Sequence, residues 1–355
     1  MKFAREMTPF SPSSTRIVML DALEPGGDLE SGAVLEPGRD LEPSRQRPRS
    51  VRGGAVSIGN FDGVHVGHRE LLSRTLANAD AVGGPAIAVV LDPHPASVLR
   101  PHSAPARLTT IERRAELMSD VGIDFLVVCP IDLKFLDRTA EEFFQFLISD
   151  RLRARTMVEG PNFFFGRDRG GNVSVLADLC RRANMDLEIV EPRIEEGRMV
   201  SSSRIREAIA AGRIEAANEM LQSSYEITGT VIRGEGRGRT IGFPTANLSG
   251  IDTLLPGHGV YAARAFVADA ASQQGETGKS IAIPAAVHVG PNPTFDDQQR
   301  TKVEVHCLDY DADLYGRRLT VQWIARIREI TKFDSAESLV DQLRRDVESV
   351  RKLIH

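Results

Sequence analysis

Cysteine is scarce: three residues, Cys129, Cys180 and Cys307, are spread through 355, and no two form a Cys-x-x-Cys pair. That spacing leaves neither a zinc ribbon nor a disulfide framework and fits a reducing compartment. Long apolar runs are also missing. None approaches the roughly 20 residues of a membrane span, and no signal-peptide core opens the chain. The expectation is a cytoplasmic protein with no membrane partner. The formal charge is −5, which excludes a broadly basic, nucleic-acid-coating surface and leaves only local basic loops. A Gly-x-x-x-x-Gly-Lys-Ser/Thr loop is absent, so nucleotide phosphates would have to be held some other way. No Ser/His/Asp triad is evident.

What is present reads as about two domains. Composition is ordinary for a globular chain, 41% apolar and 26% charged. Residues 1–15 are polar and contain Pro and Ser, which predicts a flexible tail. Residues 16–20 suit a short edge strand. Residues 24–52 read LEPGGDLESG, LEPGRDLEPS and RQRPRS at their core. Too few apolar and too many Pro and Gly residues predict a flexible insertion there. Continuous β-branched strands follow at 55–58, 86–91, 124–129, 157–159 and 187–190, with helical patterns at 109–121, 139–152 and 173–183. This alternation predicts an α/β domain over 16–222 with a doubly wound parallel sheet.

From about 225 the pattern changes. YEITGTVIR, GVYAARAFVA, IAIPAAVHVG, KVEVHCLDY and LTVQWIARI are strands without helices between them, predicting a small antiparallel β-barrel over 223–355. Leu339, Val340, Leu343, Val347 and Val350 fall on one stripe, so a terminal amphipathic helix is expected over 336–354.

In a doubly wound sheet the ligand lies beyond the carboxyl ends of the strands. Each polar motif of the first domain falls at such an end: GNFDGVHVGH at 59–68, DPHP at 92–95, GPNFFFGRDRGGN at 160–172 and SSSRIR at 201–206. The first puts His65 and His68 at a helix start, where backbone N–H groups and the helix dipole favour an anion. Gly59, Gly63 and Gly67 clear room for close approach. SSSRIR opens a helix stopped by Gly212 and sets Arg206 in its first turn. It is either a plain serine cap beside a solvated arginine or a further anion contact.

His65, His68 and Arg206 together suit attack of a phosphate on the α-phosphate of a nucleoside triphosphate. Such a nucleophile is already ionised, so the protein need only align the groups and stabilise charge. Asn162, with Phe163, Phe164 and Phe165 and then Arg167 and Arg169, is suited to a flat aromatic substrate bearing a phosphate. The alternative for the phenylalanines is the core.

In the second domain, RGEGRGRTIGFPTANL at 233–248 carries four glycines and three arginines. It is either a loop whose backbone wraps phosphates or a mobile hairpin. Thr245 and Asn247 offer two hard oxygen ligands, the chemistry Mg²⁺ selects alongside phosphate. Glu304 alternates with Val303 and Val305 in KVEVH and so faces away from them. It is a solvated strand residue or, where that face lines a cavity, an acceptor for the proton of a substrate hydroxyl in phosphoryl transfer.

These motifs, in this order, resemble the prokaryotic bifunctional riboflavin kinase/FMN adenylyltransferases, also called FAD synthetases. GNFDGVHVGH is similar to their adenylyltransferase signature, an HxGH nucleotidyltransferase element, and DPHP, GPNFFFGRDRGGN and SSSRIR match later motifs of that domain. GRGRTIGFPTANL, GVYAA, KVEVH, DLYGRRL and KFDSAESL resemble the riboflavin kinase module, so the likeness spans about 53–355. It implies ATP-dependent phosphorylation of riboflavin to FMN by the barrel. It also implies adenylyl transfer from ATP to FMN by the first domain, giving FAD and pyrophosphate. ATP, riboflavin and FMN would be the small-molecule partners and Mg²⁺ the cofactor.

The resemblance also implies site residues. His65, His68 and Arg206 would contact ATP phosphates, with Asn60, Asp62, Gly63 and His94 binding substrate nearby. Asn162, Arg167, Ser202 and Ser203 would complete the adenylation site. In the kinase module Gly236 and Arg239 would bind substrate, and Thr245 and Asn247 would hold Mg²⁺ and ATP phosphate. Glu304 would be the base on the ribityl 5′-hydroxyl. Flavin itself is indicated by the resemblance alone. Three departures stand out: Ser203 replaces the usual threonine of SST, Asn292 occupies a position where a basic residue is common, and 24–52 has no counterpart. A different HxGH transferase with a barrel used only for binding, or a flavin-binding regulator without catalysis, remains open on the residues alone. Nothing in the sequence fixes the oligomeric state.

Overall fold

The computed structural model describes residues 15–23, 34–35, 48–195, 197–234, 236–267, 281–291 and 301–354. The tail up to residue 14, most of the 24–52 segment and Asn292 lie outside the described residues. The chain forms two compact units, 1–105 with 111–200, and 106–110 with 201–355.

The first unit is built on a sheet of β1 (Arg16–Met19), β2 (Val34–Leu35), β3 (Ala55–Ile58), β4 (Ala86–Asp92), β5 (Phe125–Pro130), β6 (Thr156–Glu159) and β7 (Asp186–Ile189). Its order is β2-β1-β5-β4-β3-β6-β7. Six strands run parallel and β2 joins the edge antiparallel. The inner strands are continuous apolar runs because both faces are covered. Val56, Ile58, Ile87 and Val89 pack into one core, and Ala55, Ala86, Ala88 and Val90 into the other. From β3 the chain builds outward in one direction through β4 and β5, then in the other through β6 and β7. The carboxyl end of β3 is therefore the topological switch point.

Local structure departs from the sequence expectation in three places. Val34–Leu35, inside the segment expected to be flexible, pairs with Ile17 and Val18 of β1, and Val51 is 1% exposed in the core. Among the described residues of that segment, Val34 and Leu35 are the ones the sheet pairs. The helix expected over 139–152 is divided. A Thr139–Glu142 capping box opens the short α-turn Ala140–Phe143, and Phe144–Leu152 winds as a π-helix. A two-stranded hairpin, β8 (Ile194–Glu195) with β9 (Arg198–Met199), was not foreseen.

The second unit begins with helices Ser202–Ala210 and Ile214–Leu221 and continues into a closed antiparallel barrel. Its strands are β10 (Glu226–Ile232), β11 (Ala246–Ser249), β12 (Gly259–Val267), β13 (Ala282–Pro291), β14 (Thr301–Cys307) and β15 (Arg318–Arg328), ordered β10-β11-β14-β13-β12-β15. Burial alternates along β14, with Val303, Val305 and Cys307 inward. β11 escaped the sequence reading because four residues after a Pro-Thr corner are too short to show a period.

The terminal helix, Ala336–Ile354, matches its expected limits. It lays Val347, Val350 and Ile354 against Ala262, Ala286, Ile324 and Ile327 of the barrel. Asp346, only 1% exposed, accepts from Arg328 Nε at 2.9 Å and from Nη2 at 2.8 Å in a forked pair. Removing one partner strands the other charge. Asp346→Ala should therefore lower the stability of the barrel unit by about 3 kcal/mol, measured by chemical denaturation, and unchanged stability would mean the pair does not anchor the helix.

Candidate active sites

In the first unit β3 ends at Ile58, and the chain turns through 59–65 into helix Val66–Val82. Phe61, Gly63 and Val64 have φ of +47°, +88° and +42°. Gly63 adopts this without penalty, whereas each of the other two stores about 1–3 kcal/mol of strain. Phe61 and Val64 are buried, and that packing holds the turn. Asp62 points inward, where its Oδ1 accepts from Arg114 Nη2 at 3.0 Å in a buried pair.

His65 is the helix N-cap: its Nδ1 accepts from His68 N–H at 3.4 Å. The neutral ring therefore carries its proton on Nε2. The two imidazoles stack with centroids 3.6 Å apart, and Phe61 meets His68 edge-on at 5.3 Å. Burial, then the neighbouring His65 and Arg114, push the His68 pKa well below the usual histidine value. Asn60 Nδ2 lies 2.9 Å from His94 Nε2, and His94 Nδ1 caps the short helix Pro95–Leu99 through Ala96 N–H at 3.0 Å. Asn60, Asp62, Gly63, His65 and His68 thus lie on the turn and helix start that follow β3, and Asn60 joins His94 to this corner. The corner combines imidazole nitrogens with a helix N-terminus, a combination that favours a polyanion.

The remaining motif residues divide. Phe165 is buried and stacked on Phe163, whereas Phe164 is 43% exposed with the Arg169 guanidinium 4.2 Å above its ring. Phe164 is thus the exposed one of the three, and Phe163 is half-buried. Asn162 and Arg167 are exposed on the same loop, and Arg167 pairs with Asp137 at 3.5 Å. Ser202, Ser203 and Arg206 belong to the second compact unit. There Ser201 caps the helix through Arg204 N–H, and Arg206 Nε donates to Ala106 O at 2.7 Å.

The second site lies on the barrel face opposite its packed interior, around a cavity of about 410 Å³. Strand register sets Asn247 of β11, Glu304 of β14 and His288 of β13 in one row. Glu304 Oε1 is 2.9 Å from Lys302 Nζ and Oε2 is 3.6 Å from His288 Nδ1. His288 first, with Lys302, outweighs the cost of burial and holds the Glu304 carboxyl down to about 2.

Asn247 is 6% exposed, and its Oδ1 is buried with no hydrogen-bond partner. A Cβ on Gly234 would fall 2.1 Å from Asn247 Nδ2, so only glycine lets the loop pass over it. Thr245, Gly236 and Gly238 line the same cavity. His306 Nδ1–H donates to Pro244 O at 2.8 Å and so fixes the Pro-Thr corner. Arg239 is exposed on the short helix Arg237–Thr240. Thr245, Asn247 and Glu304 thus share one cavity.

Four residues in these surroundings were not singled out from the sequence: Arg114 and Glu159 in the first unit, and His288 and Lys302 in the second. Lys302 was accessible by alternation, since it shares a strand face with Glu304. The others depend on pairing between distant segments.

Comparison with known proteins matches both parts of the chain. The FAD synthetase family model matches residues 47–204 and the riboflavin kinase model residues 221–354. A bifunctional riboflavin kinase/FMN adenylyltransferase of Listeria monocytogenes is 33% identical over 83% of this chain and 91% of its own length. One of Escherichia coli K12 is 32% identical over 84% and 92%. A crystal structure described as a macrolide-efflux protein from Streptococcus pneumoniae superposes with a TM-score of 0.75 at 32% identity, covering 84% of this chain and 94% of that one. No helix among the described residues here is long and apolar enough to cross a membrane. With a parallel-sheet unit carrying the histidine corner and a closed barrel carrying the Asn247–Glu304 row, the chain belongs to the bifunctional riboflavin kinase/FMN adenylyltransferase family.

Proposed function

We propose that the barrel cavity binds riboflavin and ATP with Mg²⁺ and makes FMN, and that the histidine corner adenylates FMN with a second ATP. As functional modules these correspond to 223–355 and 16–222. The observation that carries the reading is the row of Asn247, Glu304 and His288 along one cavity.

Mg²⁺ fits the residues present, because Asn247 Oδ1 is a buried oxygen without a partner and Thr245 adds a second hard oxygen. Thr245 and Asn247 would hold the ion, which when bound offsets charge on the transferring phosphates. Glu304, ionised throughout the neutral range, orients the attacking hydroxyl and accepts its proton as the bond from that oxygen to the γ-phosphorus forms and the bond to the departing ADP breaks. Its low basicity makes alignment its larger contribution, as suits a loose phosphoryl-transfer transition state. Lys302 and His288 hold the carboxylate in place. Gly236 and Arg239 bring backbone N–H and positive charge to the phosphates.

At the other site the phosphate of FMN is its own ionised nucleophile. His65 and His68 hydrogen-bond the ATP phosphates at the helix start, and Arg206, Ser202 and Ser203 are assigned there by their motif. Asn162 and Arg167 contact substrate from the loop after β6. Three buried free cysteines suit a reducing cytoplasm.

Separate sites predict separable losses. Glu304→Ala should slow riboflavin phosphorylation by at least about a hundredfold while still converting added FMN to FAD. His68→Ala should do the reverse, by a similar factor of about a hundred. Loss of both activities in either folded variant contradicts the assignment. His68 also sets a pH dependence. Because its folded pKa is depressed, the unfolded chain binds the extra proton, so stability falls as pH drops below about 6.5. His68→Asn should flatten that fall in denaturant titrations between pH 7.5 and 5, and an identical slope would show that His68 is not the buried neutral base.

A further inference from the structure

Glu159, the last residue of β6, is a carboxyl that the proposed mechanism does not use. It is 1% exposed, and no ion pair accompanies it among the described residues. Its position explains how it is held. β3 pairs with β4 along all four residues, and β6 with β7 along all four. β3 and β6 pair only at Ala55↔Thr156 and Val56↔Met157. Beyond that point the two strand ends splay apart, at the switch point where an open α/β sheet takes its ligand.

In the splay, Ile58 N–H faces the gap that a β6 carbonyl would otherwise fill. Glu159 Oε1 takes that place, accepting from Ile58 N–H at 2.7 Å. The carboxyl thereby ties the end of β6 to the residue immediately before the histidine corner. Its second oxygen has no protein partner among the described residues. Gly160, the next residue, faces open space. An oxygen without a protein partner, on a side chain buried beside a ligand crevice, is open to a partner from the ligand.

We propose that Glu159 is a positioning residue of the adenylyl-transfer site. Its carboxyl fixes the splayed ends of β3 and β6 through Ile58 N–H and presents its second oxygen to a phosphate group of the bound substrate. Burial raises the Glu159 pKa well above the usual carboxylate range, against the smaller opposing effect of Ile58 N–H. The titratable neighbour on the packed helix Val173–Arg182 is Cys180, whose thiol burial also raises, to about 11. Burial thus favours the protonated carboxyl, whose second oxygen can donate to a phosphate oxygen. An ionised carboxylate there would repel the phosphate. The inference rests on the adenylyl-transfer reading of this unit, and it extends to either phosphate source, ATP or FMN.

The test uses the full chain with Mg²⁺ and two variants. Glu159→Gln keeps an oxygen for Ile58 N–H and an N–H for the phosphate, so FAD formation should stay within about threefold of wild type. Glu159→Leu keeps neither and should raise KM for ATP or for FMN at least about tenfold, the affected substrate identifying the phosphate. Riboflavin phosphorylation in the other unit should be unchanged and reports that the chain is folded. Calorimetric binding of FMN and of a non-hydrolysable ATP analogue should show the same weakening. A Glu159→Leu protein with wild-type KM and affinities overturns the proposal, as does one that loses only thermal stability while its remaining folded fraction binds normally. If the wild type forms no FAD, the reading of the unit fails, and the binding comparison still decides the role of Glu159.

Discussion

A parallel sheet that grows both ways from one central strand must leave a gap at that strand's carboxyl end, and the first unit is arranged around this gap. β3 gives up its partner on the β6 side after two residues, and the chain leaving it bends through left-handed residues at Phe61, Gly63 and Val64. The bend brings a helix N-terminus, capped by His65, to the opening. The buried Asp62–Arg114 pair and the packing of Phe61 hold a turn that open backbone would not keep. Strain and burial here produce a fixed arrangement of donors.

The barrel solves a related problem differently. A closed sheet has no gap at a strand end, so its polar site is a row across neighbouring strands, with aligned side chains every second residue. Asn247, Glu304 and His288 stand in register because β11, β14 and β13 are antiparallel neighbours. The terminal helix, pinned by Arg328 and Asp346, covers part of that face and gives the cavity its depth. The two units thus prepare phosphate chemistry by unrelated means. One gathers backbone N–H and neutral imidazole at a turn, and the other gathers a carboxylate held ionised by Lys302 and His288 beside two hard oxygens.

Much of this was legible in the sequence. Short apolar-rich runs such as AVSI and AIAVV, alternating with amphipathic helices, read as strands covered on both faces, and the change to helix-free strands after 225 marks the barrel. The paired histidines and the Thr245–Asn247 spacing are local signals, read directly. Harder to read were features that exist only through pairing. Glu159 looks like one polar residue at a strand end until Ile58 is placed beside it, and Arg114 lies in a helix whose sequence does not announce a buried ion pair. Lys302 and His288 become meaningful only once β13 and β14 are set in register. The π-helix at Phe144–Leu152 and the four-residue β11 have no periodicity of their own to betray them.

The central claim is that one chain carries out two consecutive phosphate transfers on a flavin. Its most direct measurement is a time course of the purified protein with riboflavin, ATP and Mg²⁺, resolved by chromatography. FMN should appear first and then decline as FAD accumulates, with pyrophosphate released in step with FAD. Riboflavin left unchanged by folded protein, or FMN that accumulates without any FAD, would contradict the account.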